Sequence, residues 1–319
     1  MEATTKVQKA AWIKKSVAAG GEFHAFKQSP WRHNLLNLSC ALGLWTCVGL
    51  LIAWGTVASP ALYIPLAGAL VACLFFAHFI LVVHECSHNM FVLSSNRDLQ
   101  KKLNRAIGVV AGGAFFTDYI IHWEQGHTEH HLRPCEENDP QDKDPLTGRD
   151  LYKHYLGLMV IPFYFMKINP SNQYGFTWSR FLGGLAFWAP LLVLTGLFIG
   201  WWVPVMLILS QHFLMALNMT KKAQEHGGGL ADEPIFEMRS RTYFYPTAFM
   251  TSPFNINYHF EHHANFMVPW YLLPAYHQRL MEIVPGELKP YIFHSDFLQQ
   301  LAGKKPLIPE ELRPLVNAS

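Results

Sequence analysis

The apolar positions of this chain are gathered into long runs instead of alternating with polar ones. Two stretches contain no Asp, Glu, Lys or Arg: Asn34 to Val83, about fifty residues, and Phe181 to Thr220, about forty. A membrane-crossing helix needs roughly 20 apolar residues, so each stretch is long enough for two spans and too long for one. The first predicts a helical hairpin, Leu35 to Trp54 and Leu62 to Val83, turning at Ser59 and Pro60. The second predicts Phe181 to Gly200 and Val203 to Met219, with Pro190 kinking its first arm and Trp201 and Trp202 where an interfacial aromatic belt would stand. Two shorter apolar segments, Ala106 to Thr117 and Tyr155 to Met166, cannot span and predict helices lying along the membrane surface. The strand signal is weak throughout, so the expected fold class is all-α: four transmembrane helices in two hairpins, with a helical cap.

Composition agrees with that reading. Half of the 319 residues are hydrophobic and only 15% are charged, which is too apolar for an ordinary soluble domain. A net charge of +2, with no basic run interleaved with aromatics, excludes nucleic acid as a partner. The five cysteines show no C-x-x-C spacing and suggest a reducing compartment without disulfides. All 25 Lys and Arg fall outside the two charge-free stretches, in the N-terminal arm, the segment between the hairpins and the C-terminal hundred residues. The positive-inside rule then places both termini and the cap in the cytosol, on a bacterial inner membrane or the endoplasmic reticulum. No cleavable signal peptide is expected, because the first 34 residues lack an apolar core. The expected organisation is a cytosolic arm over 1–34, a membrane domain with its cap over 35–285 and a cytosolic tail over 286–319.

The 17 histidines change the picture from membrane protein to metalloprotein. His84 and His88 form an H-x-x-x-H where the second span ends, and residues i and i+4 share a helix face. His127, His130 and His131 form an H-x-x-H-H, and His259, His262 and His263 repeat it after the second hairpin. In such a box the i+3 and i+4 rings flank the line through the first, so one helix can offer ligands to two neighbouring metals. Eight imidazoles overshoot a single zinc ion, which takes three or four ligands, and imidazole also suits iron and copper. Glu85, Glu129 and Glu261 alternate with the histidines and either accept the free ring N–H of a ligand or stand in solvent. The acidic run Glu136, Glu137, Asp139, Asp142 and Asp144 reads mainly as a solvated loop, with carboxylates able to orient ligands. His78 and His212, in apolar surroundings, are expected to be neutral rings hydrogen-bonded between helices. His24, His33, His154, His277 and His294 show no box spacing and are expected at the surface.

These boxes, with Asn257 and Tyr258 leading into the third and the segment Val268 to Pro274 after it, resemble the membrane fatty acid desaturase and hydroxylase superfamily, which includes alkane hydroxylases and carotenoid ketolases. The tail segment is similar to bacterial acyl desaturases. The resemblance implies two non-haem irons, O2 as co-substrate and an apolar chain as substrate, carried on a lipid, acyl carrier protein or CoA. The H-x-x-x-H spacing of the first box is closer to the acyl-lipid and hydroxylase branches than to the acyl-CoA branch. Electrons must come from an external donor such as ferredoxin, rubredoxin or cytochrome b5, because the chain has no cysteine set for an iron–sulfur site. Lys101, Lys102 and Arg105 are one candidate docking patch; anionic lipid is the other partner such a cluster can meet.

A ninth ligand is expected at His226, a few residues past the fourth span in Gln224-Glu225-His226-Gly227. Alkane hydroxylases and related bacterial desaturases carry a similar Glu-His-Gly there, and Gly227, Gly228 and Gly229 would let the backbone turn sharply. His122 is its competitor, but stands five residues before His127, off the i+4 face. The expected activity is O2-dependent desaturation of an aliphatic chain, with hydroxylation as the close alternative. A histidine-rich membrane metal transporter or sensor, and a cytochrome holding haem between His78 and His212, are the readings from other classes. A transporter would need polar residues through the spans, and a cytochrome would leave three boxes without a role.

Overall fold

A computed structural model describes residues 10–141, 146–168, 177–303 and 307–317. Asp142 and Asp144 of the acidic run fall outside them. Among the described residues, four helices are long and apolar enough to cross a membrane: Pro30–Trp54, Pro60–Ser87, Trp178–Phe198 and Trp202–Asp232. The all-α, four-span fold is therefore present, and the chain is an integral membrane protein. Its helices begin a few residues earlier than the apolar runs do, because Pro30 and Pro60 occupy the first helical turn, where a missing N–H costs nothing. Pro190 lies inside Trp178–Phe198, which continues through it.

The chain divides into two compact units. The membrane unit comprises Gln28–Thr128 and Asp150–Thr220; the polar unit comprises Met1–Lys27, Glu129–Arg149 and Lys221–Ser319.

In the membrane unit the second span is the most enclosed and the first and third expose most of their surface, as lipid-facing helices should. Gly68 of the second span faces the Met206 carbonyl of the fourth. The indole of Trp202 donates to the Gly55 carbonyl at 2.8 Å, tying one hairpin turn to the other. Past His78 the second span changes to a π-helical turn, Phe79–His84, before a last α turn at Glu85–Ser87. A second π turn, Tyr119–Gln125, leads into the helix Gly126–Leu132. Such turns are rare and usually accompany functional sites.

The irregular segment after the first histidine box is buried, with Met90, Phe91 and Leu93 enclosed. Its backbone is satisfied by side chains from two helices. Asn34 receives the Leu93 N–H at 2.7 Å and donates to its carbonyl, Asn37 donates to Phe91 O, and His33 bonds Met90 O. From the other side, Asn104 brackets Val92 N and O at 3.1 and 2.8 Å, while Gln100 pairs with Asn89 O and Ser94 N. Buried backbone away from water has to be paired in this way. His33, expected at the surface, is in fact buried because it serves this loop.

Gln100 and Asn104 belong to a helix, Arg97–Gly113, that starts nine residues before the predicted apolar segment. The Asn96 side chain caps it by accepting from Leu99 N at 3.0 Å. It buries its amides and glycines and exposes Leu99, Leu103, Val109 and Val110, the reverse of a soluble amphipathic helix. The other predicted surface segment breaks at Pro162 into Gly148–Val160 and Tyr164–Ile168. His212 meets it: Leu158 O accepts from Nδ1 at 2.8 Å and Phe163 N donates to Nε2 at 3.2 Å, so the ring is neutral and bonded as expected. His78 instead packs among aromatic rings, with Trp45 at 5.2 Å between centroids.

In the polar unit, Trp12 and Ile13 of the helix Ala11–Gly20 share one apolar core with Phe260, Leu273, Tyr276 and Leu280. The C-terminal segment joins that core through Ile308 and Val316. Two dipeptide strands, Thr242–Tyr243 and Phe293–His294, pair in parallel with Thr242 opposite Phe293.

Candidate metal centre

The helix His259–Ala264 is six residues long, too short to stand alone. Phe260 anchors it in the core of the polar unit, and Glu261 fastens its other side: His277 Nδ1 donates to Glu261 Oε1 at 2.5 Å, and the Thr242 hydroxyl donates to Oε2. His277 is thus buried, not at the surface as expected. Glu261 holds the helix through His277 and Thr242. Glu129, by contrast, is exposed.

With the helix so fixed, His259 and His263 meet His226 and His130. Ligand atoms of these four buried residues all lie within 4.8 Å of one another. Ring centroids are 4.7 Å apart for His226 and His259, and 4.9 Å for His130 and His263. His226 is the last residue of Trp202–His226, and Gly228 and Gly229, at φ of 78° and 84°, turn the chain away from it. In the same unit His131 and His262 approach to 4.5 Å between rings. In the membrane unit His84, His88 and His127 form a triangle, with centroids 4.8 to 4.9 Å apart. His122 stands outside these groups; its Nδ1 bonds Asp118 O at 3.1 Å, at the start of the second π turn.

The outer hydrogen bonds show which nitrogens face inward. His226 Nδ1 donates to the Arg239 carbonyl at 2.8 Å, and His130 Nδ1 to the Asp139 carboxylate at 2.8 Å. His259 Nδ1 faces the Glu225 carboxylate at 3.2 Å. The Arg239 carbonyl and the Asp139 carboxylate only accept, so Nδ1 of His226 and His130 carries the ring proton and Nε2 presents a lone pair; with Glu225 ionised beside Lys221, His259 is set the same way. His226 Nε2 and His259 Nε2 then face each other at 2.8 Å. Burial, and next the charge of neighbouring histidines, push His259 well below the ordinary imidazole value, so no ring proton fills that gap. Two lone pairs at contact distance repel unless a cation lies against them. The donor set therefore fits a metal, with the outer acceptors that metal-binding histidines characteristically have.

Asp139 and Glu225 were the partners hardest to see in the sequence. Asp139 reads as part of a solvated acidic loop, yet Cys135 N and Gln141 N donate to it at 2.6 and 2.9 Å. Burial alone would raise its pKa; the hydrogen bond from His130, with these two N–H groups, brings it below the usual carboxylate value. Arg239 links the outer partners, since its side chain donates to Glu233 O and Pro134 O while its own carbonyl orients His226.

A family profile described as fatty acid desaturase matches residues 59–295, from the second span past the third histidine box. The chain belongs to the fatty acid desaturase family. No curated protein matches it. Family membership makes this desaturase-family chain an oxidoreductase of the desaturase and hydroxylase type, and its histidine clusters are suited to metal.

Proposed function

We propose that this protein is a di-iron desaturase that introduces a carbon–carbon double bond into a fatty acyl or similar aliphatic chain, using O2. His130, His226, His259 and His263 hold one iron; the family resemblance leaves the remaining box histidines for the other. The reading is carried by the four buried imidazoles of His130, His226, His259 and His263, whose ligand atoms lie within 4.8 Å of one another, with Nε2 of His226 and His259 facing at 2.8 Å. Iron bound there would supply the activation of O2 needed to remove hydrogen from an unactivated methylene. The balance is one CH2–CH2 unit, one O2, two electrons and two protons giving one CH=CH unit and two waters. The chain's own residues hold the imidazoles neutral and aimed, through Asp139, Glu225 and the Arg239 carbonyl.

The two electrons come from a separate donor of the ferredoxin, rubredoxin or cytochrome b5 kind, and the basic residues flanking the spans favour a cytosolic location for the termini and the histidines. Hydroxylation shares the first hydrogen removal and is the second reading, supported by the H-x-x-x-H spacing of the first box. Mass spectrometry of lipids and acyl carriers from cells with and without the gene tests the proposal. A product lighter by two hydrogens supports desaturation, one heavier by an oxygen moves the enzyme to hydroxylation, and product formed without O2 overturns both. Purified protein should contain two irons per chain and show no Soret band.

A further inference from the structure

The three outer acceptors of the cluster in the polar unit are chemically unequal. Arg239 offers His226 a neutral carbonyl. Asp139, facing His130, is a carboxylate supported by backbone N–H groups from Cys135 and Gln141. Glu225, facing His259, is a carboxylate only 2% exposed in its side chain, and its other oxygen receives the ammonium of Lys221 at 2.6 Å. Lys221 lies one helical turn earlier on the same helix and is itself buried. A lysine taken out of water at such cost needs a reason in its surroundings. Here the chain of contacts runs from the Lys221 ammonium to Glu225, to His259 Nδ1, and through that ring to the Nε2 facing His226.

We propose that Lys221 is a positioning residue for the metal centre: it fixes the Glu225 carboxylate and balances its charge, and so sets both the aim and the electron-donating strength of His259. A carboxylate hydrogen-bonded to a ligand imidazole pushes electron density towards the metal. An ammonium on the carboxylate's other oxygen draws part of that density back. His130, facing a carboxylate held by backbone N–H groups, and His226, facing a carbonyl, bracket this intermediate donor, so three of the four imidazoles around one metal differ in strength although they are alike in sequence. The inference rests on the reading of the cluster as an iron site.

The test uses full-length protein in lipid nanodiscs, grown on 57Fe, with iron per chain and the Mössbauer spectrum of the reduced state as readouts. Lys221→Met should lower iron from two per chain towards one and change a single quadrupole doublet, and Lys221→Arg should restore both. Glu225→Gln keeps an acceptor for His259 and removes the charge that Lys221 balances. In that background Lys221→Met should therefore add little, a strongly non-additive pair. A Lys221→Met protein with two irons and an unaltered spectrum overturns the proposal, as does an equal loss of iron with and without Glu225→Gln. If Lys221→Met alone cannot be recovered, Glu225→Gln protein with and without Lys221→Met decides: no further loss of iron supports the proposal, and a further loss overturns it. Wild-type protein without iron would instead overturn the iron site, which separates the two failures.

Discussion

His84 ends one π-helical turn and His127 stands on the short helix that follows another, whereas His130, on that same helix, and His226 and His259, on others, are aimed by buried acceptors. In the membrane unit the backbone carries most of the work, through two π turns and a buried segment held by Asn34, Asn37, Gln100 and Asn104, with one buried carboxyl, Glu85, 3.3 Å from His84 Nδ1. In the polar unit the devices are side chains with full or partial charge: Asp139, Glu225 with Lys221, and Glu261 with His277. The difference follows from the surroundings. A bilayer makes an isolated charge costly, so a span can best re-aim its residues by changing its own hydrogen-bond register. The polar unit has an apolar core of its own and can enclose paired charges against it. The same residue type is thus positioned by two different kinds of physics.

The sharpest way to break the comparison is to remove a ring from the polar unit and one from the π turn of the membrane unit. His226→Ala opens the four-histidine cluster and should lower iron affinity and activity by about 100-fold or more, since even outer partners of metal ligands carry 10–100-fold effects. His122→Ala should keep most of both, because His122 belongs to neither metal-suited group of histidines and its Nδ1 bonds Asp118 O at the start of the π turn. Elemental analysis and turnover of the two purified variants check this, and the reverse pattern would mean that the wrong histidine had been assigned to the metal.

Much of this arrangement was legible in the sequence, and what escaped did so for a physical reason. The spans announce themselves by the lack of charge, and the boxes by spacing on a helix; both are local signals. His226 was found by its place after the fourth span and by resemblance, and the structure sets it beside His130, His259 and His263. The outer partners escaped because they are tertiary facts. Asp139 looks like a solvated carboxylate until the loop from Cys135 to Gln141 wraps it with N–H groups. His33 and His277 looked like surface residues until Met90 O and Glu261 were brought to them from 57 and 16 positions away. The π turns left no mark in composition, since a helix with one extra residue per turn uses the same apolar side chains.

Next in size, Asp139→Ala removes the acceptor that orients His130 and should weaken iron binding by roughly 10–100-fold. Glu129→Ala, in the same helix as His130 but exposed, should change nothing measurable. Competition of each protein with a chelator reads the two affinities. Equal behaviour would remove the charged acceptors from the account of the polar unit.

The backbone device of the membrane unit predicts a smaller effect, on stability. Asn104→Leu leaves the N–H and carbonyl of Val92 without their side-chain partner and should cost roughly 2–3 kcal/mol. A thermal melt in detergent should therefore shift downward, while Leu fills a similar volume and leaves the histidines in place. A variant that melts as the wild type does would show that this loop finds other partners and does not depend on the amide clamp.

The smallest effect is expected at an ion pair in the membrane unit, and it is informative because of its size. Arg105 donates to Glu124 at 2.7 Å, and Glu124 lies in the π turn that precedes His127. By distance alone the contact matches that of Lys221 with Glu225. Its setting does not: about half of the Arg105 side chain is exposed, so water and salt screen the attraction, and holding two long side chains together offsets much of what remains. Arg105→Gln should accordingly leave iron content and melting temperature unchanged at both low and high salt. Any change should be confined to the apparent affinity for a reductant, if Arg105 works with Lys101 and Lys102 as a docking patch. Loss of iron from Arg105→Gln would mean that the π turn is held by charge after all, and that the two units position their histidines by the same means.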